Sequence, residues 1–118
     1  MTTAGARAEA LAAEYLMRHG LAIVARNFRT RFGEIDLIAR DGRVLVFVEV
    51  RLRRSAAYGG AIESITARKR ARLVAAANGY LAMLGREPPC RFDAILLDSL
   101  GSHAIEWRRD VVGVDEDC

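Results

Sequence analysis

The chain has 118 residues, enough to bury a core without disulfides or a structural metal, and is 52% hydrophobic and 28% charged. This balance excludes a disordered chain and a coiled coil. Three of the 15 acidic residues are Asp115, Glu116 and Asp117, so the preceding body has 18 basic against 12 acidic residues, a net charge of +6. Such an excess favours a polyanionic partner.

No internal repeat, low-complexity segment or linker divides the sequence, so we predict one domain over residues 1–114 and an acidic tail at 115–118. No apolar run approaches the length of about 18 residues that a membrane span needs. We therefore expect no membrane association. The two cysteines and the absence of a signal-peptide pattern favour a cytoplasmic location.

Hydrophobic periodicity predicts an amphipathic helix, three strands, a second helix, a buried strand and an optional edge strand. In chain order these elements are Ala4–His19, Leu21–Arg29, Gly33–Arg40, Arg43–Arg53, Thr66–Leu84, Phe92–Leu97 and Ala104–Val112. Thr66 is a plausible N-cap for the second helix. The alternation of helical and strand patterns predicts an α/β domain.

The dipeptide Asp41-Gly42, between the second and third strands, predicts a two-residue hairpin turn. The resulting pairs are Arg40 with Arg43, Ile38 with Leu45, Asp36 with Phe47, and Glu34 with Glu49. One sheet face then carries Glu34, Asp36, Glu49 and Arg51. Asp36 and Glu49 become diagonal neighbours with backbones about 7–8 Å apart, close enough for their side chains to converge on one cation.

Carboxylates that converge on a largely apolar strand need raised pKa values, basic partners or a metal ion. Oxygen ligands without clustered Cys or His favour Mg²⁺ or Mn²⁺ over zinc. The alternative is that Glu34 and Glu49 are solvated at a strand end and paired with Arg51 and Arg53. The spacing alone leaves both interpretations open.

Three segments resemble the PD-(D/E)xK signature of the YraN-like family of bacterial endonuclease-like proteins, relatives of the archaeal Holliday-junction resolvases. They are Gly33-Glu34-Ile35-Asp36-Leu37-Ile38-Ala39, Phe47-Val48-Glu49-Val50-Arg51 and Arg53-Arg54-Ser55. Shorter matches extend the resemblance over nearly the whole chain. These are Ala8–Leu16, Arg26-Asn27, Lys69 and Arg91-Phe92-Asp93.

The resemblance implies a restriction-endonuclease-like fold, which is a three-layer α/β sandwich around a mixed sheet with the order α-β-β-β-α-β(-β). It implies that Asp36 and Glu49 ligate Mg²⁺ or Mn²⁺, that Glu9 assists, and that the substrate is DNA, with branched DNA included. Periodicity alone places Glu9 at the edge of the apolar stripe of the first helix, where a solvated side chain is favoured. The oligomeric state stays open between a monomer and a homodimer.

One position departs from the family pattern, because Arg51 stands where the family has lysine. A guanidinium stays protonated, so it stabilises developing charge but does not exchange a proton with water. Reduced or absent cleavage is therefore an expectation. A general preference for arginine explains the change equally well, since Lys69 is the only lysine in the chain.

Lys69 lies in line with Leu73 at the start of the second helix, on the side that should face the sheet. It could replace the missing lysine, although a packed stem with its ammonium in water is the favoured interpretation. The residues predicted to bind DNA phosphates are Arg53, Arg54, Arg68, Lys69 and Arg70. No ladder of aromatic residues accompanies them, which favours backbone contacts over base stacking.

Three functions are compatible with this sequence. The leading hypothesis is hydrolysis of DNA phosphodiester bonds, in which Asp36 and Glu49 hold the metal and Arg51 stabilises developing charge. The alternatives are a DNA-binding module without catalysis and a protein-interaction scaffold. Metal binding separates the first from the others, and salt-dependent DNA binding separates the second from the third.

Overall fold

A computed structural model describes residues 4–52, 67–98 and 105–111. The helices and strands in these segments are α1 (Ala4–Arg18), β1 (Ala22–Thr30), β2 (Gly33–Asp41), β3 (Val44–Leu52), α2 (Ala67–Leu84), β4 (Cys90–Leu97) and β5 (Ile105–Arg108). The strands form a mixed sheet in the order β1-β2-β3-β4-β5, in which only β3 and β4 are parallel among the pairs described. The predicted N-cap Thr66 and the acidic tail lie outside the described residues.

The sheet lies between the two helices, each of which covers one face. The core on the α1 face includes Ala8, Ala12, Leu16, Leu37, Val46, Val48 and Ile95. The core on the α2 face includes Ile35, Ile38, Phe47, Leu73, Ala77, Tyr80, Leu81 and Phe92. This arrangement confirms the predicted α/β sandwich, with β3 and β4 covered on both faces. Neither helix is long and apolar enough to cross a membrane.

The turn between β2 and β3 differs from the prediction. Asp41 pairs with Val44, so the two turn residues are Gly42 and Arg43. Gly42 has φ 61°, the positive angle that a type II′ turn requires at its first central position. The predicted Asp41-Gly42 turn was wrong because it placed Asp41, and not glycine, at that position.

The corrected turn moves the β2–β3 register by two residues. Arg40 pairs with Leu45 and Ile38 with Phe47. A shift of two residues returns every side chain to the same face of the sheet, whereas a shift of one would have reversed them all. Extension of this register places Asp36 directly opposite Glu49, closer than the predicted diagonal arrangement.

A buried carboxylate joins β4 to β5. Asp93 is fully buried, and the Nε atom of Arg91 donates to both of its oxygens at 3.1 Å. Trp107 Nε1 donates to it at 2.9 Å, and the backbone N–H of Asp110 donates at 3.0 Å. The carboxylate therefore fastens the edge strand and the segment after it to the centre of the sheet.

We expect Asp93→Ala to lower the free energy of unfolding by about 3–5 kcal/mol, because it leaves the charge of Arg91 and other donors without their buried acceptor. Urea denaturation measures this loss. Asp41→Ala is the matched control, since Asp41 accepts from the same Arg91 at 3.1 Å but its side chain is 40% exposed. That control should lose less than about 1 kcal/mol. Equal losses in both variants would contradict the assignment.

Candidate active site

The site lies where β2 separates from β3. The β2–β3 pairs end at Leu37 and Val48, whereas β2 stays paired with β1 as far as Gly33 and β3 stays paired with β4 as far as Leu52. The sheet therefore forks at Asp36. The Oδ2 atom of Asp36 accepts a hydrogen bond of 2.8 Å from the backbone N–H of Val50, so the carboxyl group replaces the missing strand partner.

Polar side chains from three strands form a row at this fork. Asn27 lies between the Arg26–Leu37 and Phe28–Ile35 pairs, hence opposite Asp36, and Glu49 follows on β3. Asn27 has φ 52°, an uncommon angle that asparagine tolerates better than most residues. We call Asn27, Asp36 and Glu49, together with Glu9 of α1, the fork cluster.

Glu9 reaches the cluster from the opposite layer. Its side chain is hydrogen-bonded to Asn27 and Asp36, and the residue is half-buried. Burial, followed by the charge of Asp36, raises the pKa of Glu9. The solvated position that periodicity favoured was therefore wrong, because the open fork lets a carboxyl group on the α1 face approach the strand residues.

The carboxyl groups of Asp36 and Glu49 are in contact, and burial disfavours the ionised form of both. Burial raises the pKa of Asp36 from its ordinary value of 3.8 to about 6, although the hydrogen bond from Val50 opposes the change. Burial also raises the pKa of Glu49, against the opposing effect of Arg51. The hydrogen bond between the two groups favours a protonated Asp36 and an ionised Glu49. Above pH 6 the pair therefore carries negative charge that attracts a cation.

Arg51 neutralises part of this charge. Its Nε atom lies 3.3 Å from Oε2 of Glu49, and both side chains are less than a third exposed. Nε and Nη2 are nevertheless buried without a hydrogen bond among the described residues, so the contact is an ion pair only. The predicted pairing of Glu49 with Arg51 is present, but Glu49 is not solvated. Glu34 pairs with Arg29 instead, at 3.2 Å.

A cavity of about 210 Å³ opens beside Glu49 on the α2 side of the sheet. Its lining comes from Glu34, Glu49 and Arg51 of the strands and from Lys69, Arg72 and Leu73 of α2. Leu73 is buried, and Lys69 lies one helical turn before it on the same side of the helix. Lys69 is exposed to solvent and also borders the cavity, so its catalytic role stays a prediction.

The other residues predicted to bind phosphates lie elsewhere or outside the described residues. Arg68 is exposed at the start of α2, and Arg70 lines a groove of about 370 Å³ with Ala67 and Val74. Of Arg68, Lys69 and Arg70, it is Lys69 that borders the cavity with Glu49. Arg53 and Arg54 lie outside the described residues.

The oxygen ligands fit Mg²⁺ or Mn²⁺. Within residues 4–52, 67–98 and 105–111, no three acidic, histidine or cysteine side chains meet the geometry of a complete metal site. Asp36 and Glu49 do bring two carboxyl groups into contact without a cysteine or histidine. Magnesium commonly binds proteins through one or two carboxylates and keeps several waters. These two residues would therefore hold the ion, with Glu9 beside Asp36.

Two residues of the site had no role assigned from sequence. Asn27 was noticed only as part of a matching segment, although an asparagine inside a strand pattern is itself unusual. Arg72, which the sequence left open between a solvated and a phosphate-binding face, lines the cavity with Glu49. Its position depends on how the helix turns against the sheet, which helical spacing does not define to within one residue.

The three-layer sandwich and the acidic fork define a nuclease-like domain of the PD-(D/E)xK superfamily. Residues 8–97 match the model described as "Uncharacterised protein family UPF0102". A UPF0102 protein of Methylobacillus flagellatus is 51% identical over 110 residues, which cover 93% of this chain and 96% of the relative. One from Dichelobacter nodosus is 54% identical over 110 residues, which cover 92% and 87%. The chain belongs to the UPF0102 family, and the resemblance to the YraN-like group is confirmed.

Proposed function

We propose that this protein is a metal-dependent nuclease that hydrolyses phosphodiester bonds in DNA. The observation that supports this most is the contact between the carboxyl groups of Asp36 and Glu49 at the sheet fork, where burial raises both pKa values. A fold gains no stability from such a pair, because two desolvated carboxyl groups oppose each other's ionisation. Strained ionisable groups of this kind are characteristic of functional sites.

Each group at the site has a distinct part in this proposal. When bound, Mg²⁺ or Mn²⁺ supplies an electrophile for the phosphate and lowers the pKa of a nearby water. Arg51 directs its buried N–H groups at a phosphate oxygen and stabilises the charge that develops there. Lys69 hydrogen-bonds to the attacking water from the other side of the cavity. The water oxygen then bonds to phosphorus as the bond to the leaving oxygen breaks, and one proton of the water ends on the leaving oxygen.

The charges around the cavity favour a phosphate backbone. Lys69 and Arg72 face it from α2, and the first turn of that helix contains no acidic residue. The positive side chains and the partial positive charge at the N-terminus of the helix repel each other, and a bound anion would relieve this repulsion. The net charge of +6 on residues 1–114 also attracts a phosphate backbone, and it does so at longer range.

Cleavage of linear and branched DNA with Mg²⁺ or Mn²⁺ tests the proposal. We expect Glu49→Ala to abolish cleavage, because the cation loses one of its two carboxylates. Glu14→Ala is the control, since Glu14 is an exposed glutamate of α1. It should cleave like the wild type. Failure of the wild-type protein to cut any of these substrates with either metal would refute the nuclease proposal.

A non-catalytic DNA-binding module is the second candidate, and Arg51 in the place of the family's lysine favours it. In both candidates DNA affinity should fall as salt rises. Contacts from Arg51, Lys69 and Arg72 to three phosphates would reduce affinity at least about 40-fold between 50 and 200 mM salt. Fluorescence anisotropy measures this slope. Binding without cleavage would support the module, and no binding at low salt would favour a protein-interaction scaffold.

A further inference from the structure

The turn between β1 and β2 exposes a phenylalanine to solvent. Arg31 and Phe32 form this turn, and Phe32 is 64% exposed. Tight turns usually carry Gly, Pro, Asn, Asp or Ser, because these residues satisfy the turn geometry and are compatible with water. A large apolar ring at this position is therefore accessible to a partner.

The turn is held in place from two sides. Thr30 Oγ1 accepts hydrogen bonds from the N–H groups of Phe32 at 3.0 Å and Gly33 at 3.1 Å. Gly33 lies tightly against α2, where an added Cβ atom would be only 2.3 Å from the backbone oxygen of Arg72. These contacts anchor the base of the turn while the ring of Phe32 projects outward.

Positive charge and the active-site cavity adjoin this ring. The Cζ atom of Arg31 lies 5.3 Å from the centroid of the Phe32 ring. Arg29 and Arg72 line a neighbouring cavity of about 380 Å³ together with Glu34. Glu34 and Arg72 also line the cavity that contains Glu49. The turn and the proposed catalytic site thus belong to one continuous surface.

The distance along β2 is short on the scale of a nucleic acid. Phe32 precedes Asp36 by four residues, which span about 13 Å in an extended strand. Successive phosphates in one DNA strand are about 3.4 Å apart along the duplex axis. The ring is therefore at most about four nucleotides from a phosphate at the fork cluster, because an unpaired strand is more extended than a strand in a duplex.

We propose that Phe32 stacks on an unpaired nucleobase and thereby directs the protein to DNA in which single strands meet a duplex. The proposal rests on DNA as the substrate of the proposed function. A base inside a duplex has both faces covered by its neighbours, whereas a base at a strand junction offers a free face to an aromatic ring. Arg29, Arg31 and Arg72 would hold the flanking phosphates.

Binding of the full chain in EDTA tests this without cleavage. The probes are a forked DNA and a duplex of equal length, with 2-aminopurine at an unpaired position of the fork. We expect the wild type to prefer the fork and to quench its fluorescence. Phe32→Ala should weaken fork binding about tenfold, lose the quenching and keep duplex affinity, since stacking of one base contributes about 5- to 150-fold.

Phe32→Trp should restore both fork binding and quenching. Met83→Ala is the matched control, because Met83 is 70% exposed at the far end of α2, and it should behave like the wild type. Unchanged fork binding by Phe32→Ala, or equal losses for fork and duplex, would overturn the inference. So would an altered oligomeric state of Phe32→Ala on gel filtration, or no DNA binding by the wild type. Loss of the nuclease proposal alone would leave fork binding and quenching intact.

Discussion

Asp36→Asn should raise the free energy of unfolding of the metal-free protein at pH 7–8 by about 2–3 kcal/mol. Burial moves the pKa of Asp36 from 3.8 to about 6 in the folded chain, so this group ionises less easily in the folded state than in the unfolded state. Above pH 6 its ionised form therefore destabilises the folded state. Asparagine keeps an oxygen that can accept from Val50 but removes this charge. The expected gain in the free energy of unfolding is the energy that corresponds to this change in pKa.

The stability difference between the variant and the wild type should depend on pH. Below about pH 4 Asp36 is protonated in both states, so the variant should gain nothing from the removed charge. The wild type should then lose stability relative to the variant as pH rises from 4 to 6, and the difference should stay constant above pH 6. Urea denaturation at several pH values in EDTA measures it.

Magnesium supplies the complementary measurement. It should raise the melting temperature of the wild type, because an ion that binds only the folded state stabilises that state, and should leave Asp36→Asn unchanged. Asp41→Asn is the control for a partly exposed aspartate of the same strand. A variant that is less stable than the wild type at pH 8, or a variant that still responds to magnesium, would contradict the assignment of Asp36.

Arg51→Lys should increase DNA cleavage at least about tenfold, since a positioned proton-transfer group contributes about 10²–10⁴-fold. Lysine keeps a positive charge beside Glu49 and adds an amine that can exchange a proton with water. Single-turnover cleavage rates with Mg²⁺ measure the gain. Arg40→Lys, an exposed substitution of the same kind on β2, should leave the rate unchanged.

Lys69→Ala distinguishes the outcomes of that experiment. If Arg51→Lys is inert and Lys69→Ala abolishes cleavage, Lys69 already supplies the amine from α2. If both variants cleave like the wild type, the guanidinium of Arg51 suffices without an amine. A decrease in Arg51→Lys would mean that two buried N–H groups of arginine matter more at the phosphate than a titratable group.

Local sequence patterns predicted the elements of this fold well because each signal acts over a few residues. The strand at Gly33–Asp41 and the helix at Ala67–Leu84 begin or end within one residue of their predictions. The β2–β3 register was wrong because Asp41, Gly42 and Arg43 offer two adjacent turns, and glycine decides between them by its φ angle. Because the error was an even number of residues, the predicted face of Glu49 was preserved.

The parts of the site that come from different layers could not be predicted by spacing. Glu9 joins Asp36 only because the sheet forks, and a fork depends on where pairing between two strands ends. Asn27 lies in the row for the same reason, since its partner across β2 is set by a register that contains a bulge after Ile23. The exposed ring of Phe32 leaves no periodic signal at all, because it occupies a turn.

The hydrogen bond from Val50 to Asp36 constrains how such a protein can drift in evolution. A substitution at Asp36 that removes the acceptor leaves a backbone donor unsatisfied, so selection for folding alone opposes most changes there. Among the described residues, Nε and Nη2 of Arg51 make no such hydrogen bond to the backbone. A lineage that loses its catalytic activity can therefore exchange one cation for another at position 51 and keep its aspartate. An intact aspartate is then weak evidence of retained activity.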